Sequence, residues 1–225
     1  MLRVLFFFFI ASSAFAGNLS WPEYQKRVLS HQHELEGWCS QEKAKKMMEL
    51  IYETQPNVCV EIGVFGGASI YPTASALKYL KKGKVYAIDP WENSACLVGY
   101  ETMDPNYIWW SAVDLRWIYH TFLDMLKNYS LKSYCHILKM TSKEALKYFD
   151  EESIDILHID GNHTENVALG DAEMYFSKVK KGGYIWLDDA NWPTTQKAVE
   201  FLLSRCEQDE MLSTGAYLLF RKGNL

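Results

Sequence analysis

The sequence predicts one α/β domain. Its expected core is a doubly wound, mostly parallel seven-stranded sheet, with a C-terminal antiparallel hairpin and N-terminal accessory helices. Three observations carry this. Val58–Ile62 is a short apolar run rich in β-branched residues that breaks into Gly63, Gly66 and Gly67 before a helical pattern, as a buried parallel strand entering a tight turn does. Later runs of the same kind, Lys84–Asp89, Ile154–Asp160 and Tyr184–Asp189, each end in aspartate and alternate with helical stretches. At 225 residues and 48% hydrophobic, the chain suffices for one well-buried core and falls short of two.

The chain opens with Met1-Leu-Arg3, an apolar run Val4–Ile10, and Ala14-x-Ala16. That order has the form of a secretory signal peptide, so residues 1–16 are expected to direct export, to the periplasm or outside the cell. The apolar run is far shorter than the ~20 residues that span a bilayer, so no stable membrane span is expected after its removal. Residues 17–55 follow as N-terminal helices, Trp21–Glu36 and Gln41–Glu53. Ala44, Met47, Met48 and Ile51 recur at helical spacing in the second, Ser40 is placed to cap it, and Pro56 ends it. These helices would cover the site or form a homodimer contact.

Residues 56–225 make up the main domain. Glycines after the first strand let the backbone turn sharply and let a ligand approach the main chain, while the next helix, from Ala68 to Lys81, points its free N–H groups at the crevice. A dinucleotide turn needs Gly-x-Gly-x-x-Gly, but here Phe65 replaces the second glycine and Glu61 precedes the turn. A carboxylate there repels a diphosphate and suits an amino-acid ammonium. Asp89, closing the second strand, is placed to hold ribose hydroxyls. Together these favour S-adenosylmethionine over NAD.

Trp91–Trp110 is the least regular stretch and carries Trp91, Tyr100, Tyr107, Trp109 and Trp110. It reads either as an acceptor lid offering stacking surface or as a dimer contact or loop core. Ser111–Tyr129 is expected as a helix burying Leu115, Ile118, Phe122, Met125 and Leu126. His136–Met140 follows as a third strand, and Lys143–Phe149 as a helix that Ser142 would cap. Ile154–Asp160 and Tyr184–Asp189 are the fourth and fifth strands, the latter entered through Lys181-Gly182-Gly183. A helix over Thr195–Arg205 precedes a hairpin formed by apolar runs at Met211-Leu212 and Ala216–Phe220, joined at Thr214-Gly215.

Glu61-Ile-Gly63-x-x-x-Gly67-x-Ser69, Ile88-Asp89-Pro90-Trp91, Ile159-Asp160-Gly-Asn-His163 and Leu187-Asp188-Asp189, in this order at strand ends, resemble the class I S-adenosylmethionine-dependent methyltransferases. The chain is similar in particular to small bacterial O-methyltransferases with Asp-Gly-x-His after the fourth strand. The resemblance spans about residues 40–222 and implies a Rossmann-like fold whose last hairpin ordinary dinucleotide folds lack. It implies cofactor contacts from Glu61, Gly63, Phe65, Gly67, Ser69, Asp89 and Asp160, with Trp91 packing near the adenosine. Thr141 and Ser142 stand where such proteins meet adenine, although an acid that many relatives carry there is missing.

Adjacent strands bring Asp160, Asp188 and Asp189 to one crevice, and three carboxylates repel unless something neutralises them. A hard cation such as Mg²⁺ would do so, and these positions match those where catechol-type and sugar O-methyltransferases hold such an ion. Alternatively, Asp188 or Asp189 caps the helix near Trp192 together with Asn191, and Asp160 touches only the cofactor. His163 suits a general base, with Asp160 as second catalytic candidate, or is a structural loop residue; His158, inside an apolar strand, reads as core. The implied function is methyl transfer to a hydroxyl of a small molecule or sugar, with Mg²⁺ assistance expected; N-methylation stays open. The alternative is an exported effector or binding protein that keeps the fold without catalysis. A metal-dependent hydrolase would leave Glu61 and the glycine turn unexplained.

The net charge of −5 gives no nucleic-acid footprint. Five cysteines at irregular spacing make neither a disulfide framework nor a zinc site; a Cys39–Cys96 bridge stays open, with nothing in the sequence to support it. Tripeptides at Asn18, Asn128 and Asn162 fit the glycosylation pattern.

Overall fold

A computed structural model describes residues 19–223; the expected signal peptide lies outside the described residues. Two helices come first, α1 (Trp21–Ser30) and α2 (Gln41–Thr54). The first is shorter than expected: a 3₁₀ turn at Gln32–Glu34 replaces its last residues. Then follow β1 (Val58–Ile62), α3 (Ile70–Leu80), β2 (Lys84–Ile88), α4 (Asn93–Cys96), α5 (Pro105–Ala112), α6 (Leu115–Asn128) and β3 (Cys135–Leu138). The second half holds α7 (Ser142–Ala145), β4 (Ile154–Ile159), α8 (Glu165–Phe176), β5 (Val179–Leu187), α9 (Gln196–Leu203), β6 (Cys206–Gln208) and β7 (Leu218–Lys222).

The seven strands form one sheet in the order β3-β2-β1-β4-β5-β7-β6. The first five are parallel, and β7 pairs antiparallel with both β5 and β6. The order reverses between β1 and β4, so a crevice opens at the carboxyl ends of these two strands, where open α/β sheets bind ligands.

Alternation along each strand sorts the core into two layers. Cys59, Val85, Ala87, Ile156 and Trp186 face α2, α3 and α6, whereas Val60, Ile62, Ile88, Leu157, Ile185 and Leu187 face α8 and α9. Glu61 pairs in register with His158, and His158 with Trp186. By parity, Glu61 and His158 share the face that α2 covers.

Several boundaries differ from the sequence expectation. Trp91–Trp110 contains two short helices, because Asp104 caps α5 by accepting from Asn106 N–H and Pro105 fits its first turn. Lys181-Gly182-Gly183 lies inside β5 rather than before it, at an irregular step in the pairing with β4. The hairpin's first strand is Cys206–Gln208; Met211 and Leu212 sit in its connection. A short 3₁₀ turn, Pro193–Thr195, leads into α9, with Trp192 rather than Asn191 at the capping position. Helix α8 has no counterpart in the sequence reading: Asp171 interrupts its buried stripe Ala168, Ala172, Tyr175 and hides the period. All five cysteines are free, Cys39 and Cys96 among them.

Candidate active site

The turn after β1 is set by what it must pass. Gly63 has φ +84°, and a Cβ there would lie 2.1 Å from the Asp160 carbonyl oxygen; Gly67 has φ +87°, and a Cβ would strike Phe122 and Met125. Only glycine meets both demands at each position. Phe65 also has positive φ, +51°. The strain is held by Asp89: Val64 and Phe65 N–H donate to its Oδ2 at 2.9 and 3.0 Å, and Trp91 N–H donates to Oδ1 at 2.7 Å. Burial raises the Asp89 carboxyl above its ordinary value, against the pull of these three donors. Oδ1 takes a single backbone donor, which leaves acceptor capacity for a hydroxyl.

Glu61 and Trp91 lie beneath the turn rather than in the crevice. Glu61 is 1% exposed; it accepts from Ser69 Oγ at 2.6 Å and lies 3.1 Å from His158 Nδ1. Its carboxylate is thus engaged within the protein, as is the Ser69 hydroxyl. Trp91 has φ +49°, which turns its indole into the core, where it stacks on Phe122 at 5.4 Å and donates from Nε1 to the Phe65 carbonyl. Both residues support the turn from within.

Thr141, not Ser142, caps the helix after β3. Its hydroxyl accepts from Glu144 N–H while Glu144 Oε2 accepts from Thr141 N–H, a reciprocal capping box. Ser142 Oγ instead donates to Asp171 Oδ1 at 2.5 Å. Burial pushes the Asp171 carboxyl up to about 6, against the Ser142 hydrogen bond.

The strand-end acids are divided between two groups. Asp188, 8% exposed, ion-pairs with Lys43 Nζ and lies 2.9 Å from His158 Nε2. Asp160 Oδ2 is 3.8 Å from Lys43 Nζ, and its Oδ1 is 3.8 Å from His163 Nε2. His163 Nε2 in turn stands 2.8 Å from Asp189 Oδ2, with its ring against Trp192 at 4.9 Å. The order across the crevice is therefore Asp188, Lys43, Asp160, His163, Asp189. Burial raises Asp160, but Lys43, His163 and His158 together bring it below its ordinary value. Desolvation alone would lower His163; Asp160 and Asp189 outweigh it and raise the imidazole to about 9.

Sequence reasoning missed Lys43 and assigned His158 no part. Lys43 sits in the first turn of α2, where the helix dipole disfavours a cation, yet its ammonium is buried. That local conflict was the available signal. Asn162 was also missed as a clamp: its Nδ2 donates to the carbonyls of Cys96 and Val98, and its Oδ1 accepts from Thr164 N–H.

Above the glycine turn the side chain of Phe65 meets Trp38 at 5.1 Å, Trp109 at 6.2 Å and Trp110 at 6.0 Å. Trp38 is 68% and Trp109 42% exposed, so this aromatic shelf faces solvent at the same sheet edge.

Fold and site together define a class I, S-adenosylmethionine-dependent methyltransferase architecture. A family model described as a methyltransferase domain matches residues 60–190, more than half of the chain, and the protein belongs to that family. Among solved structures, the chain is similar to a methyltransferase from Podospora anserina with S-adenosylhomocysteine bound, at 12% identity and TM-score 0.62, covering all of both chains. It is also similar to a methyltransferase from Geobacter sulfurreducens, at 14% identity and TM-score 0.56, over 91% of each chain. A candidate O-methyltransferase from Klebsiella pneumoniae shares 14% identity at TM-score 0.59, over 89% of this chain and 90% of its own. No curated protein sequence matches the chain.

Proposed function

We propose that the protein transfers the methyl group of S-adenosylmethionine to a hydroxyl of a small molecule that stacks on the aromatic shelf. One observation carries this reading: His163, held between Asp160 and Asp189, stands at the same crevice edge as the Asp89-bracketed turn and the Trp38–Phe65–Trp109 shelf. Bound S-adenosylmethionine supplies a methyl group already activated on sulfonium sulfur, so the chain has to orient two partners and remove one proton. The Gly63–Gly67 backbone and Asp89 Oδ1 would hold the cofactor, with Thr141 and Ser142 along the adenine side. Asp160 faces the crevice between Lys43 and His163 and would fix the donor end.

His163 takes the acceptor's proton. At neutral pH its imidazole is charged in the ligand-free protein, and a sulfonium placed beside it favours the neutral form that acts as base. The shelf suits a phenol or a sugar ring, both of which stack on indole faces. The first sixteen residues support an exported protein.

Calorimetric titration with S-adenosylmethionine tests the reading, followed by mass spectrometry of phenol and sugar panels for a gain of one methyl group. Micromolar binding, weakened at least tenfold in D89N, is the expected result. Absence of binding would overturn it and favour an exported binding protein that keeps the fold, the reading that the signal-like N-terminus supports.

A further inference from the structure

The three strand-end aspartates do not offer a divalent cation the joint site their sequence positions imply. Among the described residues, the groups whose ligand atoms converge are His158–Asp160–Asp188 and Asp160–His163–Asp189, never the three aspartates together. The reason is visible in the side chains between them. The Lys43 ammonium, on a residue 5% exposed, pairs with Asp188 and reaches Asp160 Oδ2 at 3.8 Å. His158 Nε2 occupies the other side of Asp188 Oδ2, and Glu61 holds the far side of that ring. A hard cation there would need these same oxygens, stripped of their partners, with a buried ammonium as its neighbour; in the second group it would have to turn away His163 Nε2, which already lies 2.8 Å from Asp189 Oδ2 and 3.8 Å from Asp160 Oδ1.

We infer that Lys43 is a tethered cation that takes the place of a divalent ion, making this site metal-independent and positioning Asp160 for the donor and acceptor. Position and burial agree. Ser40 Oγ accepts from Lys43 N–H, which fixes the start of α2 so that this side chain enters the crevice. The face of α2 that carries Lys43, Met47 and Ile51 is the one that packs on the Glu61–His158 side of the sheet. Lys43 is a positioning residue; it acts through Asp160 and Asp188. The inference extends the methyl-transfer reading, but its test does not depend on that reading.

Mn²⁺ binding to the full-length protein, followed by the paramagnetic signal of the free ion, reads it directly. The wild type is expected to bind no Mn²⁺ at 1 mM and to be unchanged by dialysis against chelator. K43M, freed of the ammonium, should bind one Mn²⁺ at least tenfold more tightly than the wild type, while K43R should behave as the wild type does. A merely structural lysine would not create a metal site on its removal. Stoichiometric Mn²⁺ binding by the wild type, lost in D188N or in D189N, would overturn the inference; so would a folded K43M that binds no better than the wild type. Should K43M fail to fold, K43Q replaces it, and the wild-type and D188N titrations remain decisive. Failure of the methyl-transfer reading would appear separately, as absent S-adenosylmethionine binding.

Discussion

On the proposed reading, His163 ties charge to both stability and rate. Its pKa is raised to about 9 from an ordinary 6.5, so the stability from its charged contacts is complete below about pH 6.5 and is lost as pH rises through 9. That difference corresponds to roughly 3 kcal/mol. Urea titrations between pH 6 and 10 should show this alkaline decline in the wild type and a flatter profile in H163Q. Methyl transfer should climb over the same interval, and H163Q should lose about a hundredfold or more in kcat. Asp171 behaves oppositely, because among the described residues no cation pairs with it. Burial raises it to about 6, so its ionised form opposes folding at neutral pH. D171N should therefore raise stability at pH 7.5 by up to about 3 kcal/mol, an advantage that disappears below pH 4. The position of Asp160 and His163 at the crevice was legible because glycine-bounded strand ends face ligand crevices. Lys43 was not, since a lysine in an amphipathic helix ordinarily reads as solvated. The inward turn of the Trp91 ring was not legible, because nothing in the sequence announces its positive φ.

At the scale of elements, parity explains more than residue type does. Asp160 and Asp188 fall in step with His158 and Trp186, on the face covered by α2; Asp189 is one residue out of step and has φ +49°, so it meets His163 instead. Alternation along β4 and β5 was available from sequence, whereas the element standing opposite was not. Short helices show the same limit. Residues 141–145 hold together through a capping box, and T141A should cost about 1 kcal/mol in urea denaturation with little effect on acceptor affinity. The aromatic stretch before Trp110 was readable by composition as either an acceptor lid or a contact surface, but its helix α5 depends on Asp104 and Pro105 together. If α5 and the 31–40 segment present the shelf to an acceptor, W109A should raise KM for an aromatic acceptor about tenfold and leave the dissociation constant of S-adenosylmethionine unchanged.

Across the whole molecule, the mostly parallel sheet was legible because each parallel strand is a short apolar run and each connection is long enough for a crossover. The terminal hairpin was expected in kind and displaced in position: its first strand, Cys206–Gln208, is only half-buried and carries Glu207, so it lacks an apolar signal. The sheet brings residues 43, 61, 89, 160 and 188 from five separate parts of the chain to its carboxyl edge, so the site cannot assemble before the sheet does. Gly63 is where this global closure is most exposed to a single change. G63A forces a methyl group into the Asp160 carbonyl and a left-handed backbone on alanine, a loss on the order of 3 kcal/mol. Thermal melting of G63A should show it as a clear drop in midpoint.

The three N–H groups that converge on Asp89 have a consequence for how quickly a ligand is captured. Because Val64, Phe65 and Trp91 are already anchored on one carboxylate, the loop spends little time in shapes that cannot bind, and little freedom remains to be surrendered on encounter. Association with the wild type should therefore be a single fast phase, linear in ligand concentration. Releasing the anchor in D89N should add a slow, concentration-independent step, as the loop searches for the shape it formerly kept.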